Sequence, residues 1–300
     1  MAGHLLGQIF ALLAALTWAC ALVLFKRSGE SVPPLALNLF KNTVGIVLLA
    51  ATIPVVEGGF SVLRDFPRGD ICILMLSGII GIALADTVFF HALNLVGVGT
   101  ISIVDCLYSP LIILFSWLLL SEDLSAVHYL GAGLILTGVF VSSRHDPAPG
   151  RTRAQLIAGL LLGATSMALM AFGIVIAKPV LNDFPLLWAT MLRLIAGTLI
   201  LALVISASAK RKELWLAFKP SAVWRFSLPG AVLGAYLAMI FWIGGFKYTH
   251  ASIAGILNQT SVIFAIILAA VFLKESFGPR KAVAVTFAMA GVVLVTFATP

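Results

Sequence analysis

The sequence predicts an all-α integral membrane protein whose ten transmembrane helices form two inverted five-helix repeats. Three observations support this fold class: an apolar composition, a series of long apolar runs and an internal repeat. The 300 residues are 61% hydrophobic and only 10% charged, and the mean hydropathy is +1.11. Soluble domains carry about 25% charged residues, so most of the surface of this chain is expected to face lipid.

The second observation is a set of ten apolar runs that are long enough to cross a bilayer. A hydrocarbon core of roughly 30 Å requires about 20 apolar residues in helical form. The runs are Leu5–Phe25, Pro34–Val55, Ile71–Ala92, Val96–Leu120, Val127–Ser143, Leu156–Ala177, Phe184–Ala207, Ser227–Phe246, Ala251–Leu273 and Pro279–Phe297. The loops between these runs are short, so no soluble domain is expected.

The third observation is a repeat of rare residues at an offset of about 152 positions. Apolar matches are uninformative in such a chain, but ordered matches of glycines and charged residues are not. The pairs are Gly7–Gly159, Lys26–Lys178, Pro33–Pro185, Lys41–Arg193, Gly45–Gly197 and, one position later, Asp105–Asn258, Glu122–Glu275 and Gly138–Gly291. The proline- and glycine-containing stretch RHDPAPGRTR lies near the midpoint. We therefore predict a first repeat at 1–146, a linker at 147–153 and a second repeat at 154–300.

The repeat also predicts a function. An odd number of spans in each half places the second half upside down relative to the first. Inverted repeats are an architecture of secondary transporters, whose substrate site lies near mid-membrane between the halves. The sequence contains no HExxH, GxSxG, P-loop or dinucleotide-binding motif, so an enzyme, an ATP site and a cofactor are not expected. The three cysteines lack metal-binding spacing, so no metal is expected either.

Two segments point to a family. Val88–Leu95 through Ser121–Gly138, and Phe241–Tyr248 through Lys274–Gly291, each combine an aromatic patch, a short loop, a long apolar helix and a Glu before a glycine-containing helix. This pattern resembles the drug/metabolite transporter superfamily, in its EamA-type ten-helix branch, and Trp18 also fits it. The resemblance implies membrane transport, with export of amino acids or other metabolites and with cytoplasmic termini. Trp18 aligns with Met170, so the second half departs from the pattern there.

The distribution of basic residues disagrees with those cytoplasmic termini. The net charge of +7 arises from short clusters between apolar runs, such as Lys210, Arg211 and Lys212. Such clusters are typical of topology determinants and lipid contacts, so we expect a lipid bilayer and no nucleic acid as partner. Most basic residues fall in the loops on the side opposite the N-terminus. The positive-inside rule therefore places both termini outside.

Ionisable residues inside spans are costly, by roughly 2.5–3.5 kcal/mol each on insertion scales, and are therefore functional candidates. Lys41, Asp86 and Asp105 lie about 12, 9 and 13 Å from the same side, at about 1.5 Å per helical residue. They are predicted to form a cluster in which one of the two carboxylates can hold a proton, which would suit proton coupling. Alternatively, Lys41 and Asp86 form a structural ion pair, or Lys41 extends to the interface.

The remaining candidates would bind substrate. Asp105 has polar counterparts in Asn258 and its neighbour Gln259, so these residues are predicted to face one central cavity. Arg193 has no acidic partner in its own half, and an unpaired guanidinium suits a carboxylate or phosphate. Alternatively, it lies near the surface or pairs across the halves. The predicted substrate-binding residues are Arg193, Asp105, Asn258, Gln259, Trp18, Tyr108 and Trp242; tyrosines and tryptophans also serve helix packing and interfaces.

Taken together, these features predict a secondary transporter that works by alternating access. The expected substrate is a small polar or amphipathic metabolite, preferably amino-acid-like, with export as the expected direction and protons as the candidate coupling ion. The alternatives are an uncoupled facilitator, an intramembrane enzyme or a regulatory scaffold. The expected location is the plasma (inner) membrane of a prokaryote. The sequence does not specify an oligomeric state, and a monomer is compatible with it.

Overall fold

The chain is helical throughout the part that the computed structural model describes, which comprises residues 2–57, 59, 63, 66–120, 126–143, 152–181, 183–248, 251–275 and 278–297. The α-helices are α1 (Ala2–Ser28), α2 (Pro34–Val56), α3 (Arg68–Gly78), α4 (Asp86–Val96), α5 (Val98–Asp105), α6 (Tyr108–Leu120), α7 (Ala126–Ser143), α8 (Arg153–Leu181), α9 (Leu186–Ala207), α10 (Arg211–Trp215), α11 (Trp224–Ala231), α12 (Ala238–Tyr248), α13 (Ala251–Phe272) and α14 (Pro279–Phe297). Two π-helical segments, Ile79–Ala85 and Val232–Leu237, join α3 to α4 and α11 to α12.

Each predicted apolar run coincides with helix, so the prediction of an all-α chain with multiple membrane spans is confirmed. Among the described residues, seven helices are long and apolar enough to cross a membrane. They are Leu5–Ser28, Pro34–Val56, Arg68–Val96, Val98–Leu119, Arg153–Leu181, Leu186–Ala207 and Trp224–Gly245, and two shorter apolar helices are Tyr129–Val141 and Leu257–Phe272. Of the predicted linker, only residues 152 and 153 are described, and Glu122 also lies outside the described residues.

The two π segments occupy matching places in the two halves, one in the third predicted span of each. A π-helical turn leaves backbone carbonyls available to other partners. In the first half these carbonyls accept hydrogen bonds from neighbouring helices: Asn38 Nδ2 donates to the Ile82 carbonyl at 2.8 Å, and Ser166 Oγ donates to the Ala85 carbonyl at 2.8 Å. The first segment is therefore fixed between α2 and α8.

The fourth predicted span, Val96–Leu120, is interrupted near its middle. It begins after Gly97, whose φ of 79° lies in the left-handed region that favours glycine. Helix α5 ends at Asp105, and α6 begins at Tyr108. Pro110 explains the break, because proline has no backbone N–H to donate to the carbonyl four residues earlier. The break leaves Asp105 at a helix end near mid-span.

Two glutamates join the halves by accepting hydrogen bonds from helix N-termini. Glu57 accepts from the backbone N–H groups of Leu187 at 3.0 Å and Trp188 at 3.2 Å, in the first turn of α9. Glu275 accepts from Val98 at 2.8 Å and Gly99 at 2.9 Å, in the first turn of α5. A carboxylate at this end of a helix satisfies free N–H groups and complements the helix dipole.

Candidate functional site

A central cavity of about 150 Å³ lies among helices from both halves. Its volume is of the order of cavities that hold a single aromatic ring. Every residue that the sequence proposed for binding or coupling lines it: Trp18, Lys41, Asp86, Asp105, Tyr108, Arg193, Trp242, Asn258 and Gln259. The rest of the wall consists of Ala14, Ala15, Gly81, Ile82, Phe89, Met167, Met170, Leu194, Gly234, Ala235, Ala238, Met239 and Ser261.

Lys41 and Asp86 form a buried ion pair across α2 and α4. Lys41 Nζ donates to Asp86 Oδ2 at 2.7 Å and to Asn42 Oδ1 at 2.8 Å. The two residues are only 4% and 8% exposed. The alternative in which Lys41 extends to the membrane interface is therefore wrong, and the ion-pair alternative describes the contact. Asp105 lines the same cavity, but no ion pair joins it to Lys41 among the described residues.

Arg193 is the second buried cation at the cavity, and no carboxylate among the described residues forms a salt bridge with it, although Asp86 lies near enough to attract it electrostatically. The residue is 3% exposed, and its Nε and Nη1 atoms have no hydrogen-bond partner in the described part of the chain. Its backbone packs directly against Gly78, where an added Cβ would lie 2.6 Å from the Arg193 Cα. The close contact between α3 and α9 thus fixes where the guanidinium enters the cavity. Neither predicted alternative, a surface position or an ion pair across the halves, is found in the described structure.

Further unsatisfied polar atoms lie on the same wall. Over the described residues, Tyr108 Oη, Asn258 Nδ2 and Gln259 Oε1 are buried without a hydrogen-bond partner. The other end of the Gln259 amide donates from Nε2 to Ser109 Oγ at 3.2 Å, which orients that side chain. Buried polar groups are nearly always paired, so each exception requires an explanation. Here the exceptions provide hydrogen-bond donors and an acceptor beside a buried cation.

Much of the remaining wall is apolar and polarizable. The Trp18 ring lies 6.0 Å from the Phe89 ring, and methionines at positions 167, 170 and 239 complete this surface. Methionine side chains adapt to differently shaped ligands. The sequence did not single out Met167 or Met239, because methionine in an apolar run is more often ordinary packing. The cavity therefore combines buried cationic groups with an adaptable apolar lining. No group of three or more His, Cys, Asp or Glu side chains suitable for a metal occurs among the described residues.

Comparisons with known proteins agree with this arrangement. The chain matches the EamA-like transporter family over residues 5–144 and again over 157–297. It is 26% identical over 139 residues to a Bacillus subtilis (strain 168) protein named uncharacterized transporter YoaV, a match that covers 46% of this chain and 47% of that protein. The match thus spans about half the length of that relative. A known crystal structure resembles the fold with a TM-score of 0.68 at 21% identity, covering 99% of this chain and 98% of the other. At that identity the likeness concerns the fold alone.

Proposed function

The chain belongs to the EamA-like transporter family, as the resemblance in its sequence predicted, and on this basis we propose that it is a secondary transporter. Its proposed substrates are small amphipathic metabolites that carry a carboxylate. Membership makes it an integral membrane transporter with two repeats. The finer proposal is ten spans in two inverted repeats, at 1–146 and 154–300 with a linker at 147–153. The halves would then move around the central cavity in alternating access.

One observation carries this proposal: the cavity contains a buried guanidinium with which no described carboxylate forms a salt bridge. The nearby Asp86 attracts it electrostatically but is already bound to Lys41. Burying an unpaired charge is costly, and such charges usually have a partner. A substrate carboxylate would accept hydrogen bonds from Arg193 in the bidentate geometry that guanidinium favours. Tyr108 and Asn258 would supply further donors to the same anion. The apolar wall would hold the remainder of the substrate.

The pseudo-symmetry explains why Arg193 is unpaired. Lys41 and Arg193 are repeat mates, and Lys41 is paired with Asp86, the first residue after the first π segment. The first residue after the second π segment is Ala238. The second half thus has an alanine where the first half has the neutralising aspartate. If a substrate carboxylate takes that place, an ammonium group on the same substrate would be attracted to Asp105, which favours amino-acid-like solutes.

Two modes of transport follow from the acidic residues. In a proton-coupled carrier, Asp105 would hold and release the proton, because Asp86 is already paired with Lys41. In an uncoupled facilitator, the substrate alone would drive the conformational change. The Lys41–Asp86 ion pair favours this mode, because it leaves Asp86 without a free carboxylate for a proton. Export, and a prokaryotic plasma membrane, are supported only by the family resemblance and by the bacterial relative. A gradient-dependence measurement separates the two modes.

The test is transport in proteoliposomes of labelled amino acids, monocarboxylates and their uncharged amides, with and without a pH gradient. Replacing Arg193 by Gln is expected to slow carboxylate transport about 10- to 100-fold, since a hydrogen bond to a charged group contributes about 1.5–3 kcal/mol. Arg193→Lys should retain part of the activity, because it keeps the charge but not the planar fork. Arg68→Gln, at an exposed arginine at the start of α3, is the control and should behave as wild type. Equal transport of acids and amides by the wild type would refute the proposal.

A further inference from the structure

A second cavity, of about 370 Å³, lies between the start of α2 and residues 213–227, and it shares no lining residue with the central cavity. Val32, Leu37, Phe40, Leu216 and Trp224 make its wall largely apolar. Lys219, Glu213 and three serines contribute the polar part of the lining. The proposed transport mechanism does not use this cavity, so its occupant must be argued separately.

The repeat shows how this cavity arises. At the offset of about 152 residues, Val32 corresponds to Phe184 and Phe218 corresponds to Phe66. In the corresponding place of the other half, Phe66 packs on Phe184 with ring centroids 4.0 Å apart. At the equivalent position in the first half the residue is Val32, which has no ring. Phe218 packs on Phe40 instead, with ring centroids 5.5 Å apart. One of two pseudo-symmetric positions is thus filled by a phenylalanine ring, and the other is a cavity.

The cavity lies where one candidate membrane span ends at Ala207 and the next begins at Trp224. It is bordered by the segment between the end of α9 at Ala207 and the start of α11 at Trp224. Trp215 and Leu216 in this segment are 41% and 51% exposed, although both are apolar. Exposed tryptophan and leucine at a span end are typical of side chains that enter the interfacial region of a bilayer.

The same segment carries a strong positive charge. Its basic residues are Lys210, Arg211, Lys212 and Lys219, against the single carboxylate of Glu213, and Arg225 follows directly in α11. Basic residues near a membrane surface attract anionic lipids with about 1 kcal/mol each. An apolar cavity beside a basic rim at the interface matches a molecule with an apolar chain and an anionic head. A soluble anion would match the rim but not the wall, and a neutral lipid would match only the wall.

We propose that this cavity binds an anionic phospholipid of the surrounding bilayer. One acyl chain packs against Val32, Phe40 and Trp224, where Phe184 packs in the other half. The phosphate lies near Lys219 and the basic run 210–212. Because the cavity is bounded by α2 on one side and by residues 213–227 on the other, the bound lipid bridges the two halves of the chain on this face.

The experiment measures quenching of Trp224 fluorescence by phospholipids with brominated acyl chains, in the purified full-length protein. The contribution of Trp224 is the difference between wild type and Trp224→Phe. Brominated phosphatidylglycerol is expected to quench Trp224 at several-fold lower mole fraction than brominated phosphatidylcholine. Val32→Phe, which supplies the ring present in the other half, should abolish this quenching, and the smaller Val32→Leu should reduce it. Val47→Phe, at a valine of α2 that is 62% exposed, is the control and should leave the quenching unchanged.

A charge variant tests the headgroup part of the proposal. Lys219→Gln is expected to lower the preference for phosphatidylglycerol about fivefold, the equivalent of one basic residue. Arg280→Gln removes an exposed charge at the start of α14 and should preserve the preference. Equal quenching by the two lipids in the wild type, or wild-type quenching in both Val32 variants, would overturn the proposal. Neither result depends on which solute the protein transports.

Discussion

Replacing Asp86 by Asn leaves the ammonium of Lys41 buried without its counter-ion, and we expect this to destabilise the protein by about 3–5 kcal/mol. The magnitude follows from the geometry. The ion pair is 2.7 Å long, and its side chains are only 5% and 12% exposed, so water compensates little for the lost charge. The remaining described partners of the Lys41 ammonium are the neutral Asn42 Oδ1 at 2.8 Å and the Phe90 ring, whose centroid is 5.8 Å away, and neither can replace a carboxylate.

A double-mutant cycle isolates the energy of the pair. Lys41→Gln should cost a similar amount, because it leaves the Asp86 carboxylate uncompensated instead. The double variant Lys41→Gln/Asp86→Asn should lie within about 1–2 kcal/mol of wild type, since two neutral polar groups carry no uncompensated charge. The assay is reversible unfolding in mixed micelles, followed by circular dichroism and tryptophan fluorescence. If Asp86→Asn alone costs less than about 1 kcal/mol, or if the double variant is as unstable as the sum of the single variants, the ion pair does not stabilise the fold as argued.

The same variants decide whether this pair also couples transport to protons. If the pair is structural, the double variant should keep any dependence of transport on the pH gradient, whereas Asp105→Asn should lose it. Loss of gradient dependence in the folded double variant would instead assign the proton to Asp86. If both Asp86→Asn and Asp105→Asn keep proton-dependent transport, neither carboxylate is the coupling site.

Two further substitutions test how the guanidinium is held and why it is unpaired. Gly78→Ala should destabilise the protein by about 1–3 kcal/mol through overpacking and should slow transport, because the new Cβ meets the backbone of Arg193. The control is Gly133→Ala, which should do neither, since a Cβ there meets nothing within 4 Å. Equal thermal unfolding of the two variants would contradict this prediction. In the variant Ala238→Asp the new carboxylate should pair with Arg193 as Asp86 pairs with Lys41, and carboxylate transport should fall at least tenfold. Ala238→Asn should have a smaller effect. Wild-type transport rates in folded Ala238→Asp would show that the guanidinium does not bind the substrate.

Much of this structure could be predicted from one sequence because the bilayer imposes simple rules. A span needs a fixed length of apolar residues, and a charge inside a span is too costly to be incidental. The few polar residues within the runs therefore included all nine candidates that line the cavity. Depth along a helix axis also follows from residue counting, which is how Lys41 and Asp86 could be placed at the same level.

Rotation about the helix axis could not be predicted in the same way. In an α-helix, each successive residue rotates the side-chain direction by about 100°. The π segment before Asp86 and the break after Asp105 change this rotation, and a hydropathy pattern predicts neither of them. Residue counting placed Lys41, Asp86 and Asp105 at one depth but could not show which of them touch. In the described structure Lys41 is paired with Asp86, and Asp105 lines the same cavity without an ion pair to Lys41. The interactions of Glu57 and Glu275 with helix N-termini were missed for a related reason, because backbone donors leave no pattern in the sequence.

The two cavities arise from the same kind of departure from symmetry. A duplicated chain initially has identical residues at equivalent positions, so each half can satisfy its charges and fill its volume in the same way. Where one copy has Asp86 and the other Ala238, one cation is neutralised and its mate is not. Where one copy has Phe184 and the other Val32, one volume is filled and its mate is open. Random drift in an apolar span would mostly exchange one aliphatic side chain for another, with little change in charge or volume. Differences that create an unpaired charge or an open volume are costly to keep, and a ligand that binds there offsets the cost.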